Sequence, residues 1–328
     1  MARRILWAAL LYTAAGLAQD QPGQLAQAER AFRRACELQP ASFPAHFNLG
    51  LTLYKESRPG DAVAPLTRAV ELESSSFEAS YLLGVVLAET NRKIEAIRSL
   101  RRAHALNPKH AGAMRLLSVL YLDQDYSLDA ADILAEALAQ APDDRNLLLL
   151  LADAHHRNFQ LDRALEAAER AAKVSPSSAD AQFRLGYELE TSGRFEEAEA
   201  AYRKALAASP GHPGAGLALG RLALRSGRIE EAVRRLEPLT SSEARLELAR
   251  AWIAAGKSAQ ARALLEELAA ARPDDPAPHL LLAQVFDAAQ QPELSRKERS
   301  RYFELRRRAS ITGGMGDATV ANRRRFEP

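Results

Sequence analysis

The chain has 328 residues, 47% of them apolar and only 6% aromatic, with a single cysteine and a formal charge of +2. One thiol excludes an intrachain disulfide framework and a cysteine zinc site, so Cys36 reads as a small core residue. The near-neutral balance excludes a chain-wide polyanion binder, and abundant Ala and Leu with few β-branched runs favour helices over strands.

Residues 1–18, MARRILWAALLYTAAGLA, place Arg3 and Arg4 before an apolar run that closes on the small residues Gly16-Leu17-Ala18. This pattern reads as a secretory signal peptide, its apolar run short of the roughly 18–20 residues that span a bilayer. A periplasmic or secreted location is the corresponding expectation. A rival reading keeps the segment in the fold and the protein in the cytoplasm: 34 residues before Gly50 lies Gly16, so the same stretch also fits the first helix of a repeat. Residues 19–42 read as a half repeat with one helix, about Gly23–Leu38.

From residue 43 onward the chain repeats itself. Small residues recur at Gly50, Gly84, Ser118, Ala152, Gly186 and Gly220, each step 34 residues. Ala62, Ala96, Ala130, Ala164, Ala198 and Ala232 keep the same period twelve residues later. Pro40, Pro108, Pro142, Pro176 and Pro210 fall where a second helix must stop, because proline has no N–H and crowds the turn before it. A small residue on the inner face lets two helix axes approach to about 8–10 Å. Turn residues such as Asn91, Ser192-Gly193 and Ser226-Gly227 separate the two helices. Pro65 lies inside a second helix and should remove one backbone bond there. The small-residue phase steps 29 from Gly220 to Ala249, and Pro238 follows the second helix, so 213–241 reads as a shortened repeat.

At Leu185-Gly186, Leu189, Ala198, Tyr202, Ala205 and Pro210 the chain resembles the tetratricopeptide repeat (TPR) family, a 34-residue helix–turn–helix. Self-similarity at this period is the signature of a stacked repeat array. The resemblance implies an all-α, right-handed superhelical solenoid of about eight repeats over 43–309. It also implies that each first helix lines a concave surface. On that basis the expected peptide- or protein-binding groove carries Phe47, Leu51, Tyr54, Tyr81, Val85, Arg115, Val119 and Leu122 in its apolar half. Asp153, Phe183, Tyr187 and Arg221, with His156, Asp180, Glu190 and Arg250, follow in a mixed polar half. Exposed apolar strips mark interaction surfaces, and the alternative is that the superhelix closes over them. The family's carboxylate-gripping asparagine is replaced by Leu51, Val85 and Val119, so that mode of chaperone binding is not expected.

Catalytic and metal signatures are missing. His155-His156 is adjacent rather than spaced i, i+4, so the rings face different ways. The glycines of GHPGAG, 211–216, follow a helix rather than a strand, and the chain holds no HExxH, GxSxG or GxxxxGK[ST] motif. From Gln291 to the end there are ten basic and five acidic residues, first on a predicted helix of about Glu293–Ala309 and then in a glycine-containing stretch, 310–328, that reads as a disordered tail. The last helix suits a polar cap, and the basic end could make weak contact with an anionic membrane or polymer. With no aromatic stacking platform beside it, nucleic acid is not an expected partner.

The expected function is a non-catalytic scaffold or adaptor in the cell envelope, without cofactor, metal or small-molecule substrate, holding a segment of another protein. The alternative is an accessory subunit of an enzyme, secretion or polymer-export complex, tethered by the basic end.

Overall fold

The structure, a computed structural model, describes residues 22–313 together with 325 and 326. The expected signal peptide, and most of the stretch read as a disordered tail, lie outside the described residues. Among the described residues there are seventeen helices and no strand, and no helix is long and apolar enough to cross a membrane.

Two compact units divide the chain. Unit 1 holds a leading helix, α1 (Pro22–Leu38), and three helix pairs: α2 (Phe43–Lys55) with α3 (Pro59–Leu72), α4 (Phe77–Glu89) with α5 (Lys93–Leu106), and α6 (Ala111–Asp123) with α7 (Ser127–Gln140). Arg325 and Phe326 also belong to it. Unit 2 holds five pairs: α8 (Arg145–Arg157) with α9 (Leu161–Val174), α10 (Ala179–Thr191) with α11 (Phe195–Ala208), α12 (Pro213–Arg225) with α13 (Ile229–Leu236), α14 (Ser242–Ala254) with α15 (Ser258–Ala271), and α16 (Ala277–Ala288) with α17 (Pro292–Gly313). The first helix of each pair is called inner, the second outer.

The spacing of small residues has a direct cause. A Cβ added to Gly50 would fall 2.5 Å from Leu66 Cγ, one on Gly84 2.6 Å from Leu100 Cγ, one on Gly186 2.6 Å from Tyr202 Cδ1 and one on Gly220 2.5 Å from Leu236. Each partner lies sixteen residues later on the outer helix and is fully buried. Where the inner residue is Ala152, the residue sixteen later is the small Ala168, and both are buried. Ala62, Ala96 and Ala198 sit fully buried on the outer helices. α5, α7, α9 and α11 each end two residues before Pro108, Pro142, Pro176 and Pro210. α3 continues through Pro65.

Both ends of the inner helices are built by local rules. Ser42, Ser76, His110, Asp144, Ser178, His212 and Ser241 cap α2, α4, α6, α8, α10, α12 and α14, each side chain accepting a first-turn backbone N–H. At the other end one turn recurs in all eight pairs. Its left-handed residue is Ser57, Asn91, Asp125, Phe159, Gly193, Gly227, Gly256 or Gln290. The next residue's N–H returns to a carbonyl five residues earlier, as from Arg58 to Leu53 at 3.0 Å and from Arg194 to Leu189 at 2.8 Å.

Arginines at the start of four outer helices form a second periodic feature. Arg58, Arg92, Arg194 and Arg228 each pair with an acid three residues on, Asp61, Glu95, Glu197 and Glu231, at 2.6–2.9 Å. Arg58 also reaches Glu29 on α1, and Arg228 also reaches Glu199 on the preceding outer helix, α11.

One second helix is short, as its proline implies, and the last helix is longer than its sequence reading. α13 has eight residues against fourteen in α11 and α15, because Pro238 follows it closely. α17 is described to Gly313 rather than Ala309, since Ser310, Ile311 and Thr312 contain no breaker.

Candidate functional site

In unit 1 the inner helices α2, α4 and α6 present a strip of aromatic and aliphatic side chains. Phe47 stacks on Phe43 with centroids 5.7 Å apart, and Tyr81 stacks on Phe77 at 5.6 Å. Each pair is spaced i, i+4, which brings both rings to one side of the helix. Tyr81 also meets the His110 ring at 4.8 Å, and its hydroxyl lies over Gly112. Tyr54 donates to Glu89 Oε1 at 2.7 Å, joining α2 to α4, and this bond chiefly raises its phenol pKa to about 12. Phe47, Leu51, Tyr54, Tyr81 and Val85 are half-buried, Arg115 is exposed, and Val119 is 41% exposed.

Leu122 corrects the sequence reading. It is only 4% exposed, with Leu120 and Tyr121 buried beside it. Three consecutive buried residues cover about 200° of helix circumference, so the last turn of α6 is enclosed on two flanks and Leu122 cannot line a groove.

In unit 2 the inner helices carry a charged and aromatic cluster. Arg184 donates to Asp153 Oδ1 at 3.0 Å and to Glu188 Oε1 at 3.2 Å, and Arg157 donates to Asp153 Oδ2 at 2.9 Å. His156 Nδ1 lies 2.9 Å from Glu188 Oε2, and its other ring nitrogen is 3.3 Å from the Tyr187 hydroxyl. Glu188 is 1% exposed, so a buried carboxylate is held by one guanidinium and one imidazole. Phe183 packs between Tyr202, 5.7 Å away, and His212, 4.8 Å away, which leaves it half-buried in the layer between repeats. Arg221 donates to Glu243 at 3.2 Å. His155 turns away from His156 to Gln160 at 2.7 Å, and burial lowers its pKa. Among the described residues no three His, Cys, Asp or Glu side chains could share a metal ion.

Arg184 and Glu188 were not anticipated as members of this cluster. The signal was present: residues 34 apart from Glu188 are Val86, Leu120, Ala154 and Leu222, and a lone acid in an apolar column marks a buried ion pair.

Comparison with known proteins fits this geometry. A sequence model described as "Tetratricopeptide repeat" matches residues 13–75, 47–111 and 149–213, half of the chain, and a second of the same description matches 189–243 and 240–285. Among curated protein sequences none matches. Of the solved structures, a chain of the APC/C hetero-tetramer Cut9–Hcn1 aligns with a TM-score of 0.55 at 17% identity, covering 85% of this chain and 56% of that one. YrrB, described as a TPR protein with an unusual peptide-binding site, aligns at 0.51 and 22% identity, covering 61% of this chain and 99% of its own. MamA from Desulfovibrio magneticus RS-1 aligns at 0.48 and 20% identity over 52% of this chain and 96% of its own. At these identities the likeness concerns the fold. With a 34-residue period, helix pairs locked by small residues and family matches over half its length, this chain belongs to the tetratricopeptide repeat family.

Proposed function

We propose that this protein is a non-catalytic scaffold that holds a peptide segment or a helix of another protein on the inner helices of unit 1. The observation that carries this reading is the strip formed by Phe47, Leu51, Tyr54, Tyr81, Val85 and the exposed Val119. Its parts are fixed in advance: Tyr54 is tied to Glu89, and Tyr81 is wedged against Phe77 and His110. A surface ordered before binding loses little entropy on binding, so modest apolar contacts suffice for useful affinity. The inner face of unit 2, with its satisfied ion pairs around Asp153 and Glu188, supplies a polar counterpart for charged side chains of a partner. No small-molecule substrate or cofactor is part of this reading. Export through residues 1–18 would put the protein to work in the cell envelope.

A second reading has its own observation. Arg296, Lys297, Arg299, Arg306, Arg307 and Arg308 on α17 are exposed, and a cationic helix suits an accessory subunit tethered to an anionic membrane or polymer.

The test is co-purification from native extract with the wild-type chain and with Tyr54→Asp/Tyr81→Asp, the fold of the variant first checked by circular dichroism. A protein retained by wild type and lost by the variant supports the inner-face reading. Identical sets retained by both overturn it, and salt-sensitive capture on anionic vesicles then favours the tethered subunit.

A further inference from the structure

Arg325 and Phe326 pack in unit 1 on the outer helices α5 and α7 and on Tyr121 near the end of α6. Phe326 is 7% exposed. Its ring meets Tyr126 edge-on at 5.1 Å and Tyr121 at 6.2 Å, and the Arg101 guanidinium lies over it, 5.3 Å from the centroid. Its backbone N–H donates to Asp129 Oδ2 at 2.7 Å. Arg325 pairs with Asp132 at 2.5 Å and lies 3.6 Å from Asp129.

The place of this contact in the repeat explains it. Tyr126 occupies the position filled by Arg58, Arg92, Arg194 and Arg228 in four other pairs, and Asp129 occupies the position of the acid that each of those arginines neutralises. Here the repeat keeps the acid and replaces the arginine with an aromatic. The Phe326 N–H takes up the acid, Arg325 brings a guanidinium within 3.6 Å of it while pairing more closely with Asp132, and Phe326 covers the aromatic that took the arginine's place. Arg98, Arg101 and Arg102 wall an open cavity of about 360 Å³ beside Phe326, and the next residue in the sequence, Glu327, is acidic.

The geometry points to a peptide-recognition site in unit 1, on α5, α7 and the end of α6, for an Arg-Phe segment, filled in cis by the chain's own Arg325-Phe326. Each chemical feature has a named reader: Asp129 and Asp132 for the cation and the backbone N–H, and Tyr121, Tyr126 and Arg101 for the ring. The site is separate from the inner-face strip and does not depend on how that strip is used. Tethering makes the chain's own end a competitor at an effective concentration on the order of 1 mM.

The test uses a fluorescently labelled peptide of residues 322–328, NRRRFEP, titrated into full-length protein. Phe326→Ala should bind it more tightly than wild type, about tenfold where the peptide's own Kd is a tenth of that effective concentration. Adding Asp129→Asn/Asp132→Asn to Phe326→Ala, with helicity unchanged, should reverse the gain, and a peptide with alanine in place of its phenylalanine should not bind. Equal affinity of wild type and Phe326→Ala, or undiminished binding of the alanine peptide, overturns the proposal. Sedimentation velocity guards the in-cis assignment: a wild-type mass that rises with concentration and falls on Phe326→Ala would place the segment on a second copy and overturn it.

Discussion

Gly186→Ala tests the packing rule on which every helix pair rests. The new Cβ would fall 2.6 Å from Tyr202 Cδ1 and 2.7 Å from Cε1, where ordinary carbon contacts lie at about 3.5–4.0 Å. The ring must therefore move by roughly 1 Å. It has little room, because Tyr202 is fully buried, its hydroxyl donates to Glu190 at 2.7 Å and Phe183 packs 5.7 Å away. Overpacking of this kind costs about 1–3 kcal/mol. Replacing a mid-helix glycine by alanine returns about 1 kcal/mol of helix propensity. The expected net effect is a loss of about 0–2 kcal/mol, or roughly 2–4 °C in melting temperature for each kcal/mol. Gly186→Leu should fall at or above the top of that range. Gly60, in the first turn of α3, is the control, since its added Cβ meets nothing within 4 Å. Gly60→Ala should be neutral or stabilising by up to about 1 kcal/mol. Thermal melts followed by far-ultraviolet circular dichroism give the sign, and hydrogen exchange shows whether the loss falls on α10 and α11. If Gly186→Leu and Gly60→Ala move the melt together, small residues do not set the helix approach and the reasoning fails.

Three further outcomes follow from the same contacts. Tyr202→Phe should destabilise unit 2 by about 1–3 kcal/mol, because Glu190 loses a hydrogen bond while the buried ring volume is kept; a melt equal to wild type would show that solvent satisfies Glu190 as well. Cys36 is half-buried rather than a core residue, and desolvation raises its thiol to about 11, so at neutral pH alkylation should be slower in the folded protein than in denaturant, and equal rates would contradict the raised pKa. Burial likewise raises the Tyr121 phenol from 10.0 to about 12. The folded state thus favours the neutral phenol: its contribution is complete below about pH 10 and is lost as pH rises through about 12, which ultraviolet absorbance titration of wild type against Tyr121→Phe can follow.

The repeat was legible because its cause is local and recurs. A small residue opposite a large one sixteen residues later, an alanine column and a stopping proline all leave marks at a fixed spacing. The side-chain caps at 42, 76, 110, 144, 178 and 212 share that spacing, and the cap at 241 follows the shortened step of 29, but two of the seven are histidines, which do not announce themselves as caps. Leu122 misled because position within the repeat says which way a helix face points and not how closely its flanks are covered. The Arg325–Phe326 contact lies nearly two hundred residues from its partners, outside any period. Its trace was a departure from pattern, Tyr126 and Asp129 where other repeats set an arginine and its acid. Glu188 was the same kind of clue, an exception within a column rather than a member of one.

The recurrent left-handed turn carries a consequence for sequence drift. Its closing bond runs from backbone to backbone, so side chains are free to vary provided that the positive φ is tolerated. Glycine holds it three times and Asn or Asp twice, but Ser57, Gln290 and the 76%-exposed Phe159 adopt the same conformation. A left-handed non-glycine residue costs about 1–2 kcal/mol. Those three turns are therefore places where the chain has settled for less stability than its backbone allows, as expected of a protein that selection holds above a threshold rather than at an optimum.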